Sequence, residues 1–356
     1  MIDWLIVGAG LYGATFAREL TDAGQSCLVI DRREYIGGNC ADEMICGVRV
    51  QRHGGHIFHT NDKSTWEYVN RFADWWHYRH KVKVNYQGRI YSFPINLMTL
   101  HQVWGITTPD EARERLQQAG KNGHSLKRWA IAELGEELYY TFIHGYTAKQ
   151  WGRDPDTLPA SIVQRIPIRF TYDDDYFSDT YQGQPVDGYS AMIGEMLRGI
   201  PVELGQDFDL SRPNPARHIL YTGPLDALFS NEFGTLQYRS LRWEYEQHES
   251  DYQGCATMNY TDADVPYTRI IEYRHFMQNP PRNTVIAKEF PMEWHPGREM
   301  YYPVNDEPNN RRANLYAAQA KRLGIETGGR LADYRYYDMH QAVAAARKHA
   351  ERVLNG

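Results

Sequence analysis

At 356 residues the chain is long enough for two or three domains around a sizeable core. A net charge of −6 without blocks of like charge gives no sign of a nucleic-acid partner, and no run approaches the roughly 18 apolar residues of a membrane helix. Four cysteines (Cys27, Cys40, Cys46, Cys255) make no CxxC pair and no zinc spacing with histidine, and Met1 leads straight into an apolar run with no room for a leader. A cytoplasmic, soluble protein with no metal centre is expected.

Trp4-Leu-Ile-Val7 predicts a buried strand, and Ala14 to Ala23 the helix after it. Gly8-Ala-Gly10-Leu-Tyr-Gly13 lies between them. Glycines at this spacing allow a tight turn and let backbone N–H groups approach a pyrophosphate at the helix N-terminus. A second strand, Cys27-Leu-Val-Ile30, ends at Asp31, where a carboxylate can accept from a ribose hydroxyl. Val82-Lys-Val84 and Ile90-Tyr-Ser-Phe93 predict a hairpin about Gln87-Gly88. Residues 98–150 read as helical, with Leu126, Ala130, Leu134, Leu138, Phe142 and Tyr146 on a four-residue stripe that Gly135 interrupts.

Residues 160–190 read as irregular, and Asp173-Asp-Asp175 as a solvated loop, since the EF-hand glycine and closing glutamate are missing. Val202-Glu-Leu204 and His218-Ile-Leu-Tyr221 predict strands that return to the nucleotide domain. Alternation at Leu241, Trp243 and Tyr245, at Ala256, Met258 and Tyr260, and at Val285 and Ala287 predicts an antiparallel sheet. A helix from Asp338 to Val353 closes the chain. The expected class is α/β: a discontinuous Rossmann-like FAD-binding domain (1–75, 190–237, 318–356), an inserted helical domain (98–159) and an antiparallel β-sheet domain (76–97, 160–189, 238–317). With 26 Tyr, 12 Phe and 9 Trp, there are aromatic rings enough for the core and for a nucleotide or sugar cleft.

Gly37-Gly38-Asn39 and Gly328-Gly329-Arg330 are two further glycine clusters. A nicotinamide domain needs neither; a longer cofactor such as FAD, approached by backbone at several points, accounts for both.

Several longer motifs carry a resemblance. They are His53-Gly-Gly55-His56-Ile-Phe-His59-Thr60, Gly145-Tyr146-Thr-Ala-Lys-Gln-Trp151-Gly152, Arg165-Ile-Pro-Ile-Arg169-Phe170 and Tyr176-Phe-Ser-Asp179. Tyr267-Thr-Arg269-Ile-Ile-Glu272, Tyr301-Tyr302-Pro-Val-Asn-Asp306 and Gly328-Gly-Arg330 running on to Tyr336-Tyr337-Asp338-Met339-His340 continue the series. Over nearly its whole length the chain resembles bacterial-type UDP-galactopyranose mutases. The resemblance implies bound FAD, active when reduced by an external or NAD(P)H-derived reductant. Its N5 attacks the anomeric carbon of a nucleotide sugar, interconverting pyranose and furanose rings for cell-surface polysaccharide synthesis. A homodimer is expected, with no nucleic acid and no membrane insertion.

Carried over by motif, Arg165 and Arg269 are the diphosphate cations, and guanidinium forks suit phosphate oxygens. Tyr176, Tyr302 and Tyr336 are phosphate donors. Phe142, Tyr146 and Trp151 build the pyrimidine pocket, with Gln102 as a polar contact to the base. His56 and His59 lie on the flavin side, able to donate a hydrogen bond or move a proton, whereas His53 reads as an ordinary polar residue. Arg239 and Arg330 flank the flavin, and Gly38, Asn39, Gly329, Asp338 and Met339 complete the cofactor set with Gly8, Gly10, Gly13 and Asp31.

The chain departs from the family at Asp31, where glutamate is usual, and around the sugar. His80 stands where an asparagine is usual, Gly55 where alanine is, and Asp187 where glycine is. UDP-galactose is therefore the first expectation. A dTDP-6-deoxysugar such as dTDP-fucose, or UDP-N-acetylgalactosamine, is the alternative. From other classes, an FAD amine oxidase and a catalytically silent nucleotide-sugar binder are the competing expectations.

Overall fold

The computed structural model describes residues 2–117, 125–163 and 167–356. Three distant stretches of the chain meet in one parallel sheet. Its order is Val202–Leu204, Cys27–Asp31, Ile2–Val7, Ala216–Tyr221, Ile325–Thr327, with every neighbouring pair parallel. Strands of this kind are covered on both faces, which is why they read as continuous apolar runs. The helix Leu11–Asp22 buries Ala14, Phe16, Ala17 and Leu20, and the C-terminal helix Met339–Leu354 packs Val343, Ala346 and Ala350 into the same cluster. Each large side chain buried there contributes about 1.5–3 kcal/mol. The expected α/β class with a discontinuous Rossmann-like unit is what the chain forms.

The second sheet has seven strands in the order Tyr302–Pro303, Tyr238–His248, Thr284–Glu293, Arg269–Glu272, Thr257–Tyr260, Val82–Tyr86, Arg89–Phe93. It corrects the antiparallel expectation at one seam: Thr257–Tyr260 runs parallel to Val82–Tyr86. The early hairpin turns at Gln87-Gly88, both with positive φ, and docks on the edge of a meander formed much later in sequence. Local periodicity carries no information about the direction of such a pairing.

Three further expectations change. Tyr181–Pro185, inside the segment read as irregular, is a buried strand between Phe58–Thr60 and Trp75–Trp76. Its Gln182 and Gln184 are buried polar residues whose amides donate to the carbonyls of Phe177, Asp179 and His56. A long helix, Glu307–Arg322, crosses the expected 317/318 boundary and packs Ala313, Tyr316 and Ala320 against Ile219 and Ile325 of the parallel sheet. Asp173-Asp-Asp175 is tied down rather than simply solvated: Asp174 pairs with Lys81 and Lys83, and Arg169 with Asp173.

The helical stripe forms as expected up to its last member. Leu126–Leu134 ends at Gly135, whose φ is 82°, and Leu126, Ala130, Leu134, Leu138 and Phe142 share one buried cluster. Tyr139–His144 is a turn of π-helix leading into Gly145–Trp151. A π turn takes an extra residue per revolution and so rotates the helix beyond it. Tyr146, next on the stripe, lies outside that cluster and points its hydroxyl at Arg269.

Candidate active site

The cofactor end is built from backbone. Gly10 caps the Leu11–Asp22 helix with no side-chain cap, and no acid occupies the first turn, which leaves its N–H groups to an anion. A Cβ on Gly13 would lie 2.0 Å from the Gly8 carbonyl oxygen, so only glycine lets the helix sit this close to the first turn. The second cluster folds back on the first: the Gly37 N–H donates to Ala9 O at 2.9 Å, and a Cβ on Gly38 would meet Gly10 Cα at 3.1 Å. Asp31 is buried, and both its oxygens serve the chain, Oδ2 accepting from Ala9 N at 2.8 Å and Oδ1 from Arg33 N at 2.9 Å. Any ribose contact must use lone pairs beyond these. Arg33 was not anticipated; it donates to Asn39 Oδ1 at 2.9 Å and pairs with Glu299, while Asn39 Nδ2 is buried with no partner.

Two cations stand further along. Arg330 donates to the carbonyls of Tyr301 and Met300, and burial lowers its pKa although Tyr302 and Tyr336 support the charge. Arg239 is buried, donating from Nε to Gln150 O at 3.1 Å and lying against Gly152. Among the described residues neither has a carboxylate partner within salt-bridge distance. Cations left in that state in the interior mark a place for an anionic group. Gly329 lies beside Tyr12 and Thr222, next to the first turn. His53 proves more than incidental, bridging the Tyr35 and Tyr301 hydroxyls at 3.0 Å each, with its pKa lowered to about 3 by burial.

His56 corrects the expected donor role. Its Nδ1 lies 2.8 Å from Gly54 O, and a carbonyl can only accept, so Nδ1 carries the hydrogen. Burial, aided by Arg330, lowers its pKa to about 4, so the ring is neutral and Nε2 is an acceptor. His59 is oriented by Asp179, Nδ1 to Oδ2 2.6 Å, and stacks on Phe177 with centroids 3.7 Å apart. Asp338 caps the C-terminal helix, its N–H donating to Gln341 Oε1 at 3.0 Å, and Met339 is that helix's first residue. Donor atoms of His59, Asp338 and His340 lie within 4.8 Å of one another, a grouping close enough to share an ion that the sequence did not suggest.

At the other end Arg269 donates to the Tyr146 hydroxyl, and its Nε lies 3.1 Å from Glu289 Oε1. Burial opposes its charge, but Glu289 and the hydroxyls of Tyr146, Tyr302 and Tyr176 hold it firmly protonated. Burial pushes the Tyr146 phenol up to about 12 and Tyr302 up as well, so both are O–H donors. The Tyr302 and Tyr336 rings lie 6.2 Å apart, which gathers Tyr302, Tyr336 and Arg269. Phe142 packs against Tyr91 and Phe93 in the helical core, and Trp151 lies at the border of that cluster. Gln102 differs from expectation: its Oε1 accepts from Ser92 N at 2.8 Å and its Nε2 faces Ile90 O at 3.3 Å, so both ends of the amide clamp the hairpin edge. Arg165 lies outside the described residues.

His80 joins the two ends. It is buried among Tyr78, Tyr176, Phe177 and Phe276, with Nδ1 3.1 Å from the Tyr78 hydroxyl. Burial, then Arg269 and His59, lower its pKa to about 3, so it is a neutral ring with charge influence from both Arg269 and His59. A Cβ on Gly55 would come within 3.3 Å of Phe276, so that glycine makes room for the ring packed on His80. Asp187 is exposed.

The chain is similar to known proteins. A UDP-galactopyranose mutase family model matches residues 141–336, and an NAD(P)-binding Rossmann-like domain model matches residues 6–72. The chain is 40% identical to a probable UDP-galactopyranose mutase of Klebsiella pneumoniae, covering 99% of this chain and 94% of that one. It is 39% identical to a dTDP-fucopyranose mutase of Escherichia coli, covering 96% of each. A crystal structure of reduced UDP-galactopyranose mutase superposes with a TM-score of 0.80 at 14% identity, over 100% of this chain and 96% of that one, a likeness of fold.

Proposed function

The chain belongs to the UDP-galactopyranose mutase family, and from that premise we propose that it binds FAD and, with the cofactor reduced, interconverts the pyranose and furanose forms of a nucleotide sugar. UDP-galactose is the first substrate, and the product is a furanose donor for polysaccharide synthesis. The observation that carries this reading is that Tyr302 lies within electrostatic reach of both Arg330 and Arg269. A cation suited to a flavin and a cation suited to a diphosphate thus share one tyrosine neighbour.

The residues present fit the cofactor. The Gly8–Gly13 turn and the helix N-terminus would hold its pyrophosphate, Asp31 and Asn39 its adenosine, and Arg330, Arg239, His56 and His59 its ring system. When bound and reduced, FAD supplies a nucleophilic nitrogen for the anomeric carbon. His56, neutral with Nε2 as an acceptor, is matched to a ring that carries an N–H, as a reduced flavin does. His59, held by Asp179, is placed to hold or move a proton on the same side. Arg269, held by the Tyr146 hydroxyl from the pyrimidine side, stabilises the departing diphosphate, and the phenols of Tyr302, Tyr176 and Tyr336 donate to its oxygens and keep it in place for recapture. His80, packed on Tyr176, Phe177 and Phe276, would form a wall beside the sugar.

An oxidase has no use for a cation bound to a phenol and facing a diphosphate site, and a silent binder has no use for an oriented His59–Asp179 pair. The purified protein should be yellow and release FAD on denaturation. Incubation with UDP-galactopyranose and dTDP-fucopyranose after anaerobic reduction should yield furanose without oxygen uptake. Oxygen consumption with an amine, or no ring isomerisation of any nucleotide sugar, overturns the reading. Because the UDP-sugar and dTDP-sugar relatives are nearly equally similar, the assay includes both nucleotides.

A further inference from the structure

Lys149 lies in the Gly145–Trp151 helix, between the two aromatic residues assigned to the nucleotide, and takes no part in the chemistry above. Its ammonium is surrounded by four backbone carbonyls: Tyr260 O and Asp262 O at 2.8 Å, Val265 O and Tyr267 O at 2.9 Å. Three N–H bonds are therefore shared among four oxygens, all from the turn between Thr257–Tyr260 and Arg269–Glu272. Backbone carbonyls converging at this range form a cage for a compact monovalent charge, the same coordination that strips the water from a potassium ion. The helix and the turn meet elsewhere too. A Cβ on Gly145 would lie 2.1 Å from Thr261 O, and the Thr261 hydroxyl donates to Thr141 O at 2.6 Å. The turn then runs directly into Arg269, whose guanidinium reaches back to Tyr146 on the same helix.

We propose that Lys149 is a positioning residue: its ammonium fills a carbonyl cage in the 260–267 turn, locks that turn to the nucleotide helix and so presets Arg269 against Tyr146 before substrate arrives. The cage recognises a monovalent cation of ammonium or potassium size, and the lysine is that cation, tethered. Without it four carbonyl dipoles face one another, and the turn opens unless a free ion takes the place. Arginine is no substitute, because a planar fork does not fill a compact cage. The link to substrate rests on the reading of Arg269 as the diphosphate cation.

The test uses FAD-loaded wild type, Lys149→Ala and Lys149→Arg, prepared in potassium and exchanged into choline, potassium or ammonium chloride at equal ionic strength. Two readouts are taken: amide hydrogen exchange across residues 260–269 without ligand, and UDP affinity by calorimetry. In choline, Lys149→Ala should lose protection in that segment and bind UDP about tenfold to a hundredfold more weakly, the scale of charge-assisted hydrogen bonds lost. Potassium and ammonium should restore most of both, whereas Lys149→Arg should stay impaired in every salt. Unchanged exchange in choline, equal loss in all three salts, or failure of Lys149→Ala to fold even in potassium overturns the proposal. If wild type itself binds no UDP, the functional reading fails, while the exchange readout still decides the role of Lys149.

Discussion

Arg269 donates to the Tyr146 hydroxyl, so one contact joins a strand of the seven-stranded sheet to the Gly145–Trp151 helix. The same guanidinium pairs with Glu289, which is only 3% exposed and also accepts from the Thr268 hydroxyl at 2.7 Å. Arg269 therefore has a structural role beside the chemical one proposed for it, and substitution must separate them.

Arg269→Ala should lower turnover by about 10²-fold or more, the scale of one preorganised charge-stabilising group. It should also cost about 3–5 kcal/mol of stability by leaving Glu289 buried and unpaired. Adding Glu289→Gln should recover much of the stability and none of the turnover. Thermal melts and steady-state rates on the single and double variants check this; a double variant that regains activity would assign Arg269 a purely structural role. Arg165→Ala should lower turnover on the same scale with FAD content unchanged.

Acid should destabilise the fold through its neutral histidines. Burial holds His53 and His80 at about 3 and His56 at about 4, below the unfolded value of 6.5. The unfolded chain then binds more protons, so stability is lost as pH falls from 6.5 towards 4, by up to about 1.4 kcal/mol per pH unit for each ring. Asp42, Asp226 and Asp333, whose carboxyls are raised by burial, oppose the trend at the lower end of that window. Denaturant titrations across this range should show the decline, and His80→Asn should flatten it. An equal slope in that variant contradicts the burial of a neutral His80.

His80 also bears on the sugar. A site that hydrogen-bonds one hydroxyl discriminates strongly against a substrate lacking it, whereas a purely apolar wall discriminates only modestly. His80→Asn should reorder kcat/KM among UDP-galactose, UDP-N-acetylgalactosamine and dTDP-fucose while moving UDP affinity by less. Should the order of the three substrates survive, His80 is a packing residue, and Gly55, through Phe276, becomes the next position to examine.

How much of the fold and site was legible in the sequence depends on how local each signal is. The first glycine turn and its flanking strand and helix are written in adjacent residues, as is the hairpin at Gln87-Gly88. The parallel seam between Val82–Tyr86 and Thr257–Tyr260 is not, because direction is decided by a connection of more than a hundred residues. Gln182-Gly-Gln184 reads as a loop until the carbonyls that satisfy its amides are seen. Motif resemblance pointed to Arg269 and Tyr146, which the fold brings into contact, but Glu289 and Arg33 carry no local mark of the partners they meet. The pair of arginines directly after Asp31 was the one available hint for Arg33. Gln102 was assigned by motif to the base, and the backbone of the hairpin edge holds its amide instead.

The proposed reaction is isomerisation with the cofactor reduced, beside Arg330, Tyr302 and Arg269. Its most direct test is an anaerobic assay with UDP-galactopyranose and dTDP-fucopyranose, run in parallel on dithionite-reduced and air-oxidised enzyme, with furanose read by chromatography. Furanose should form with the reduced enzyme alone, with no net change in the flavin spectrum over many turnovers. Equal rates from the two forms, or stoichiometric reoxidation of the flavin by substrate, would contradict it.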